Sequence, residues 1–282
     1  MSPQRHALLI LHLSAAVFGG TALFAKLIGL PADVITLWRS VVAVGVLVVW
    51  QRLRHRKVLL GSWGDAGRQV LLGVALGIHW WAYFEAIKVS NVAVSLVAVY
   101  TAPMLVVFLE PLLHRGRVAV VDVALALLVL AGVSILVPGW DMQGAIFRGV
   151  CFGLLSAAAL ALRNVLHRRW QGSQPPIPLI IHQMVGVCLL FCAASTDATW
   201  PQLAPQLWKL LLLGACFTAL PHTLVVAGLR VVPARTATLI ASLMVVYGAL
   251  FAWLLLGETP AIRTALGGIL VLGAATAETL RR

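Results

Sequence analysis

The sequence predicts an all-α membrane protein: ten transmembrane helices arranged as two inverted-topology five-helix repeats around a central cavity. Three observations predict it. First, 61% of the 282 residues are hydrophobic and 11% are charged, at a mean hydropathy of +0.98. An average soluble domain carries about 25% charge, so this much apolar surface needs lipid as its solvent. Second, ten apolar runs approach the roughly 20 residues that cross a bilayer core of about 30 Å. They cover about 7–28, 33–51, 69–87, 92–114, 118–138, 147–167, 177–195, 207–228, 235–256 and 261–280. None alternates with the period of a membrane barrel. Third, the pattern of the first half recurs 142 residues later.

The first run lacks a small-residue cleavage site and is read as a helix, not a cleaved signal. It ends at Lys26, whose stem can reach the headgroups. Ser14, Gly19, Gly20 and Thr21 give it the small side chains that helix contacts in lipid require. The second helix carries Trp38 and Arg39 about two turns in. The segment 51–68 is basic and polar, and is the clearest aqueous loop.

The third and fourth helices hold the densest polar and aromatic set: His79, Trp80, Trp81, Tyr83, Glu85, Ser95, Tyr100 and Thr101. Pro103 cannot donate to the Val99 carbonyl, so it predicts a kink beside a cavity or a neighbouring helix. After a tight turn at His114-Arg115-Gly116-Arg117 the fifth helix runs to Pro138, with Trp140 as an interface anchor. Cys151, Cys188, Cys192 and Cys216 fall in apolar runs and are read as small core residues.

The net charge of +12 does not form one patch. With both termini cytoplasmic, 14 basic residues fall on their side, from Arg5 and the 52–57 cluster to Arg281 and Arg282. Five fall opposite, Lys26, Lys88, Arg148, Lys209 and Arg263, while Arg39 and Arg163 stay within the membrane. The positive-inside bias orients the chain, and the expected home is the inner membrane of a bacterium. Nucleic acid is not an expected partner. The partners are the bilayer and a small-molecule substrate. No cofactor and no metal is expected. The chain is read as a monomer, with the small-residue faces of the fifth and tenth helices open to internal packing or a dimer.

The repeat is carried by separated blocks. Leu13-Ser14-Ala15-Ala16 meets Leu155-Ser156-Ala157-Ala158, and Lys88-Val89 meets Arg230-Val231. Leu112-Leu113 meets Leu254-Leu255, and Leu128-Val129-Leu130 meets Leu270-Val271-Leu272, with a small slip at the second and seventh helices. The halves are 1–141 and 142–282. Five helices per half turn the second half upside down, and such folds place a substrate site near the midplane.

These features resemble the EamA-like branch of the drug/metabolite transporter superfamily. Leu256-Gly257-Glu258 resembles its Gly-Glu pair, Gly268–Gly273 its last-helix glycine pattern, and Arg39 the arginine of its second helix. Gly116 stands where Glu258 stands in the other half, a departure from a symmetric pattern. The resemblance implies export of small metabolites by alternating access. The aromatic amino acid exporters are the most similar group; a multidrug or a nucleotide/sugar carrier is the alternative.

The residues expected to bind substrate or line the cavity are Trp38, Arg39, His79, Trp80, Tyr83, Tyr100, Thr101, Thr218, His222, Thr238 and Ser242, with kinks at Pro103 and Pro221. His79 and Tyr83 share a face, one turn apart. They either meet substrate or bond a neighbouring helix. Trp80 and Trp81 point about 100° apart, so one of them faces elsewhere. A central arginine either attracts a carboxylate or snorkels. Ser95 is read as packing, and Arg163, Asn164 and His167 as an interface cluster. Only nine acidic residues occur, none at mid-depth, which disfavours a carboxylate-based proton antiport. A His79 proton relay and a facilitator stay open. Without Gly-x-Ser-x-Gly, His-Glu-x-x-His or Walker patterns, an enzyme is a remote alternative.

Overall fold

The computed structural model describes residues 3–114, 118–137, 141–170, 172–193, 198–229, 231–232 and 234–281. Helix makes up 85% of it, and no strand occurs among the described residues. The first half holds α1 (Pro3–Leu27), α2 (Ala32–Leu53), α3 (Trp63–Val89), α4 (Val92–Val99), α5 (Ala102–His114) and α6 (Val120–Leu136). The second holds α7 (Ala145–Trp170), α8 (Pro176–Leu190), α9 (Trp200–Leu203), α10 (Leu207–Gly214), α11 (Leu220–Gly228), α12 (Ala234–Leu256) and α13 (Ile262–Arg281).

Local chemistry sets the ends. Ser62 Oγ accepts from Asp65 N–H and Asn91 Oδ1 from Val94 N–H, capping α3 and α4. Asp122 Oδ2 accepts from Ala119 N–H at the start of α6. Gly257 closes α12 at φ +69°, a left-handed turn in which the Glu258 N–H returns to the Ala252 carbonyl.

Among the described residues, six helical rods are long and apolar enough to cross a membrane: Pro3–Leu27, Ala32–Leu53, Trp63–Val89, Val92–Leu112, Ala145–Trp170 and Trp200–Val225. Val120–Leu136, Pro176–Leu190 and Ile240–Leu256 are shorter and equally apolar. Large apolar side chains face outward on these rods: Leu127, Leu130 and Leu254 are each 61% exposed. Water does not tolerate such a belt, and lipid does. The cysteine expectation fails for the same reason. Cys151, Cys192 and Cys216 lie on exposed faces and Cys188 is half-buried. In lipid, apolar character does not mean inside.

Two sets of helix ends gather at opposite ends of the bundle. At the far end, where α1 finishes, Lys26 pairs with Glu258 at 3.8 Å and donates to the Ser90 carbonyl. Glu258 Oε2 also accepts from Val92 N–H at 2.9 Å, so one carboxylate ties α1, α4 and α12. Lys88 donates to the Leu30 carbonyl and Lys209 to that of Leu27. At the near end, where α1 begins, Arg168 pairs with Glu110 at 2.8 Å. Arg281 there binds Asp122 and Glu278. The start of α7 packs on Ser90, where α1 ends. The second half therefore runs opposite to the first.

The packing obeys a twofold exchange of halves. α1 packs on α11 and α12 as α7 packs on α3 and on α4–α5. α2 packs on α10 as α8 packs on α3, and α2–α8 and α6–α13 are each their own counterpart. Close crossings need glycine. A Cβ on Gly132 would stand 2.9 Å from the Gly267 carbonyl oxygen, so the small-residue faces of α6 and α13 are used inside the fold. Gly73 of α3 and Gly186 of α8 are tighter still.

Two rods are broken. The fourth interrupts at Tyr100–Thr101, just ahead of Pro103. The eighth starts earlier than its apolar run, at Trp200, and carries a π turn at Ala215–Ala219. The seventh stops at Leu190, short of the expected 195. Gly116 and Trp140 lie outside the described residues.

Overpacking a tight crossing costs about 1–3 kcal/mol. Gly73→Ala and Gly186→Ala, whose new Cβ atoms would meet the backbone of the facing helix, lower the melting temperature of the detergent-solubilised protein. Gly45→Ala, with nothing within 4 Å, leaves it unchanged or raises it. Differential scanning fluorimetry of the three variants checks this.

Candidate functional site

Residues made equivalent by the repeat touch each other at the centre. Trp80 and His222, 142 apart, meet edge to face at 6.2 Å. Tyr100 and Ser242, also 142 apart, share a side-chain hydrogen bond. Equivalent residues can touch only near the axis that relates the halves, so these pairs mark its position.

Arg39 lies against that axis. It is 1% exposed, seven residues into α2 and so about 10 Å from the far end at 1.5 Å per residue. Its guanidinium stacks 4.2 Å above the Trp80 ring and 5.2 Å from Phe84. Nε and Nη2 donate to Thr218 Oγ1 at 3.1 and 2.9 Å. Burying such an ion costs several kcal/mol. The aromatic faces and the Thr218 oxygen offset part of that. Arg39 does not snorkel. Nη1 is buried without a hydrogen-bond partner among the described residues, as are Tyr83 Oη and Trp38 Nε1.

The eighth rod is shaped to present Thr218. Pro221 lacks an N–H, so the Phe217 carbonyl four residues back is freed. Thr21 Oγ1 of α1 donates to that carbonyl at 3.2 Å. The backbone widens into the π turn, and Thr218 Oγ1 donates to the Leu213 carbonyl at 2.8 Å while accepting from Arg39. Pro221 thus reshapes the rod at the site, as Pro103 does beside Tyr100.

Matching serine bonds join the halves at His79 and at Pro221, beside His222. Ser156 Oγ of α7 donates to the His79 carbonyl at 2.9 Å; Ser14 Oγ of α1 donates to the Pro221 carbonyl at 3.1 Å. Ser14 matches Ser156, and His79 matches Pro221, at the offset of 142. His79 Nδ1 also sits 2.7 Å from Ser156 Oγ, and His222 Nδ1 lies 2.7 Å from the Thr218 carbonyl. Donation from both Nδ1 atoms leaves both Nε2 atoms as acceptors. Both rings are partly buried. Tyr83 stacks on His79 at 6.3 Å, and Phe18 meets His222 at 5.0 Å. Trp80 faces this centre, whereas Trp81 packs on Phe152 of α7.

Other expected residues are placed differently. Thr101 spends its hydroxyl on the Ala98 carbonyl at 2.8 Å, bridging the break between α4 and α5; it is not free for a ligand. Ser95 bonds the Asn91 carbonyl within its own helix, a packing role. The side chain of Thr238 lies outside the described residues. Arg163 keeps a bond within its cluster, donating to Asn164 Oδ1 at 3.0 Å, and adds a partner on α8. It turns inward and donates to Gln183 Oε1 at 3.0 and 2.5 Å. Gln183 then donates to Gln69 at 2.6 Å and bonds His167. Gly73 abuts the Gln183 carbonyl, and Gly214 abuts Val42 and the Arg39 carbonyl. Sequence reasoning missed Gln69 and Ser156. Ser156 was visible as the repeat partner of Ser14; Gln69, at a helix start, carried no signal.

Two cavities lie beside the bundle's helices. One of about 240 Å³ lies between α1, α11 and α12, bordered by Ser14, Phe18 and Val225. Another of about 290 Å³ opens at the far end among Ser90, Asn91, Ala249 and Glu258.

The profile of the EamA-like transporter family matches residues 5–137 and again residues 147–277. Among solved structures, one described only as the crystal structure of a protein covers 98% of this chain and 97% of its own, at TM-score 0.67 and 20% identity. That likeness concerns the fold. No curated protein matches.

Removing the Thr218 hydroxyl leaves a buried guanidinium with two further N–H groups unpaired. Thr218→Val is expected to lower unfolding free energy by about 1–3 kcal/mol. Thr218→Ser, which keeps the oxygen, loses much less. Denaturation of both variants in detergent micelles measures the difference, and equal losses would contradict the bond.

Proposed function

Because the chain belongs to the EamA-like transporter family, we propose that it is a ten-span carrier that exports small metabolites, amino acids first and aromatic ones above all. It does so by alternating access between two inverted five-helix halves, 1–141 and 142–282. The observation that carries this reading is the axial cluster. Arg39, His79, Trp80 and Tyr83 come from the first half, and Ser156, Thr218 and His222 from the second. A site shared by both halves changes its exposure when one half rocks against the other. Its aromatic rings suit an aromatic side chain, and its donors suit a carboxylate.

The ion pairs at the two ends support alternation. Lys26 and Arg168 are 142 apart and occupy equivalent positions. Lys26 reaches from α1 to Glu258 at the far end, and Arg168 from α7 to Glu110 at the near end. Glu110 thus takes at the near end the part that Gly116 could not. Opening either end separates one pair and leaves the other closed. The basic bias sets the near end, with both termini, in the cytoplasm of a bacterial inner membrane. Family membership argues for transport and against enzyme chemistry.

Reconstituted protein is expected to release labelled phenylalanine and tyrosine from liposomes faster than leucine or alanine. His79→Ala slows that release while the protein stays folded. An imposed pH gradient separates a facilitator, unaffected by it, from a proton-coupled carrier. Absence of efflux for every amino acid tested would overturn the substrate class.

The end pairs make a second prediction. In a variant with its four native cysteines replaced by serine, a disulfide between Lys26→Cys and Glu258→Cys stops transport, and reduction restores it. A disulfide between Glu110→Cys and Arg168→Cys does the same from the other end. Transport that persists with either link formed would contradict alternation at these gates.

A further inference from the structure

Arg39 carries a full charge inside the bundle. Among the described residues no acidic side chain lies within ion-pair distance of it. The carboxyls on the helices that hold it are turned to other work. Asp33 accepts from the Val34 N–H, Glu85 from the Ala32 N–H beside Lys88, and Asp65 pairs with Arg68. Three of the guanidinium's features are spent within the fold: Nε, Nη2 and the ring face on Trp80. Nη1 is not.

Tyr83, 6% exposed and within electrostatic reach of Arg39, also holds its hydroxyl buried and unpartnered. A buried donor left unmade is expensive, and natural interiors rarely keep one without a reason. Here two occur on the packed helices α2 and α3, both beside Phe84: the Arg39 guanidinium lies 5.2 Å from its ring and the Tyr83 ring 6.0 Å from it. Both are donors. A carboxylate offers two acceptor oxygens and the missing negative charge. The groups left for an ammonium are of another kind. The Nε2 atoms of His79 and His222 are neutral acceptors, with no charge to complement a cation.

We propose that Arg39 Nη1 and Tyr83 Oη form a carboxylate subsite, so that the carrier selects small organic carboxylates by their acid group and not by their amine. Aromatic amino acids are then one set of ligands among aryl carboxylates and 2-oxo acids. The proposal rests on the reading of the axial cluster as the substrate site. It does not require that amino acids be the cargo.

The test is equilibrium binding to the purified full chain, read as thermal stabilisation, with phenylalanine, phenylpyruvate, phenylacetate and phenethylamine. The three carboxylates are expected to stabilise the protein, and phenethylamine to bind about tenfold or more weaker than phenylalanine. Tyr83→Phe, which removes only the unpartnered hydroxyl, weakens the carboxylates severalfold and leaves phenethylamine unchanged. Arg39→Gln abolishes their binding if it folds; Tyr83→Phe carries the test if it does not. Stabilisation by phenylpyruvate and phenylacetate but not phenylalanine would sustain the subsite and overturn the amino-acid cargo. Phenethylamine binding as tightly as the acids would overturn the subsite and leave the carrier reading standing. No stabilisation by any carboxylate would also overturn it.

Discussion

Trp80 and His222 hold the same position in the two halves, and they touch at 6.2 Å. Tyr100 and Ser242 do the same through a hydrogen bond. Such contacts fix where the pseudo-twofold axis runs, and the rest of the bundle is arranged around it. Ser14 and Ser156 then fasten each half to a carbonyl of the other, at His79 and at Pro221. One hydroxyl, used twice, holds α1 to α11 and α7 to α3. In lipid no hydrophobic force drives helices together, so small-residue crossings and bonds of this kind carry the assembly. The glycine pairs Gly73–Gly186 and Gly132–Gly267 let the backbones approach closely enough to make them.

Symmetry of backbone does not extend to chemistry. Arg39 carries a guanidinium in α2, and Gln183, near the same level of α8, carries a carboxamide. Position 79 is a histidine, and its counterpart 221 is a proline. The proline removes an N–H, widens α10–α11 into a π turn, and so brings Thr218 to Arg39. Gln183 meanwhile takes a second arginine, Arg163, from α7. Arg39 is buried and Arg163 half-buried, and the two histidines stand within electrostatic reach of both. The cost of each buried charge is met by a different neighbour, which is what lets equivalent positions do unequal work.

Much of the fold was legible because lipid makes the code simple. Apolar runs about 20 residues long located nearly every rod, and the constant offset of 142 gave the relation of the halves. What stayed hidden was local or spatial. Pro103 announced a break, but that Thr101 would spend its hydroxyl there depends on the Ala98 carbonyl left open by the turn. The cysteines misled because an apolar residue in a membrane helix faces lipid as readily as core. At the site, Arg39, His79, Trp80, Tyr83, Thr218 and His222 were nameable from type and depth. That Arg163 would turn inward to Gln183 was not, since a cation near a helix end reads as snorkelling until its partner on another rod is seen. The choice between Trp80 and Trp81 likewise needed the position of Arg39 above one of the two rings.

The central claim is that one axial site, built by both halves, is reached from each side of the membrane in turn. His222 borders that site, so a cysteine placed there in a background without native cysteines reports its exposure. Reaction with a membrane-impermeant thiol reagent would be measured in right-side-out and inside-out vesicles. Labelling from both faces, slowed from both by bound substrate, is the result this account predicts. Labelling from one face only, under every condition, would contradict it.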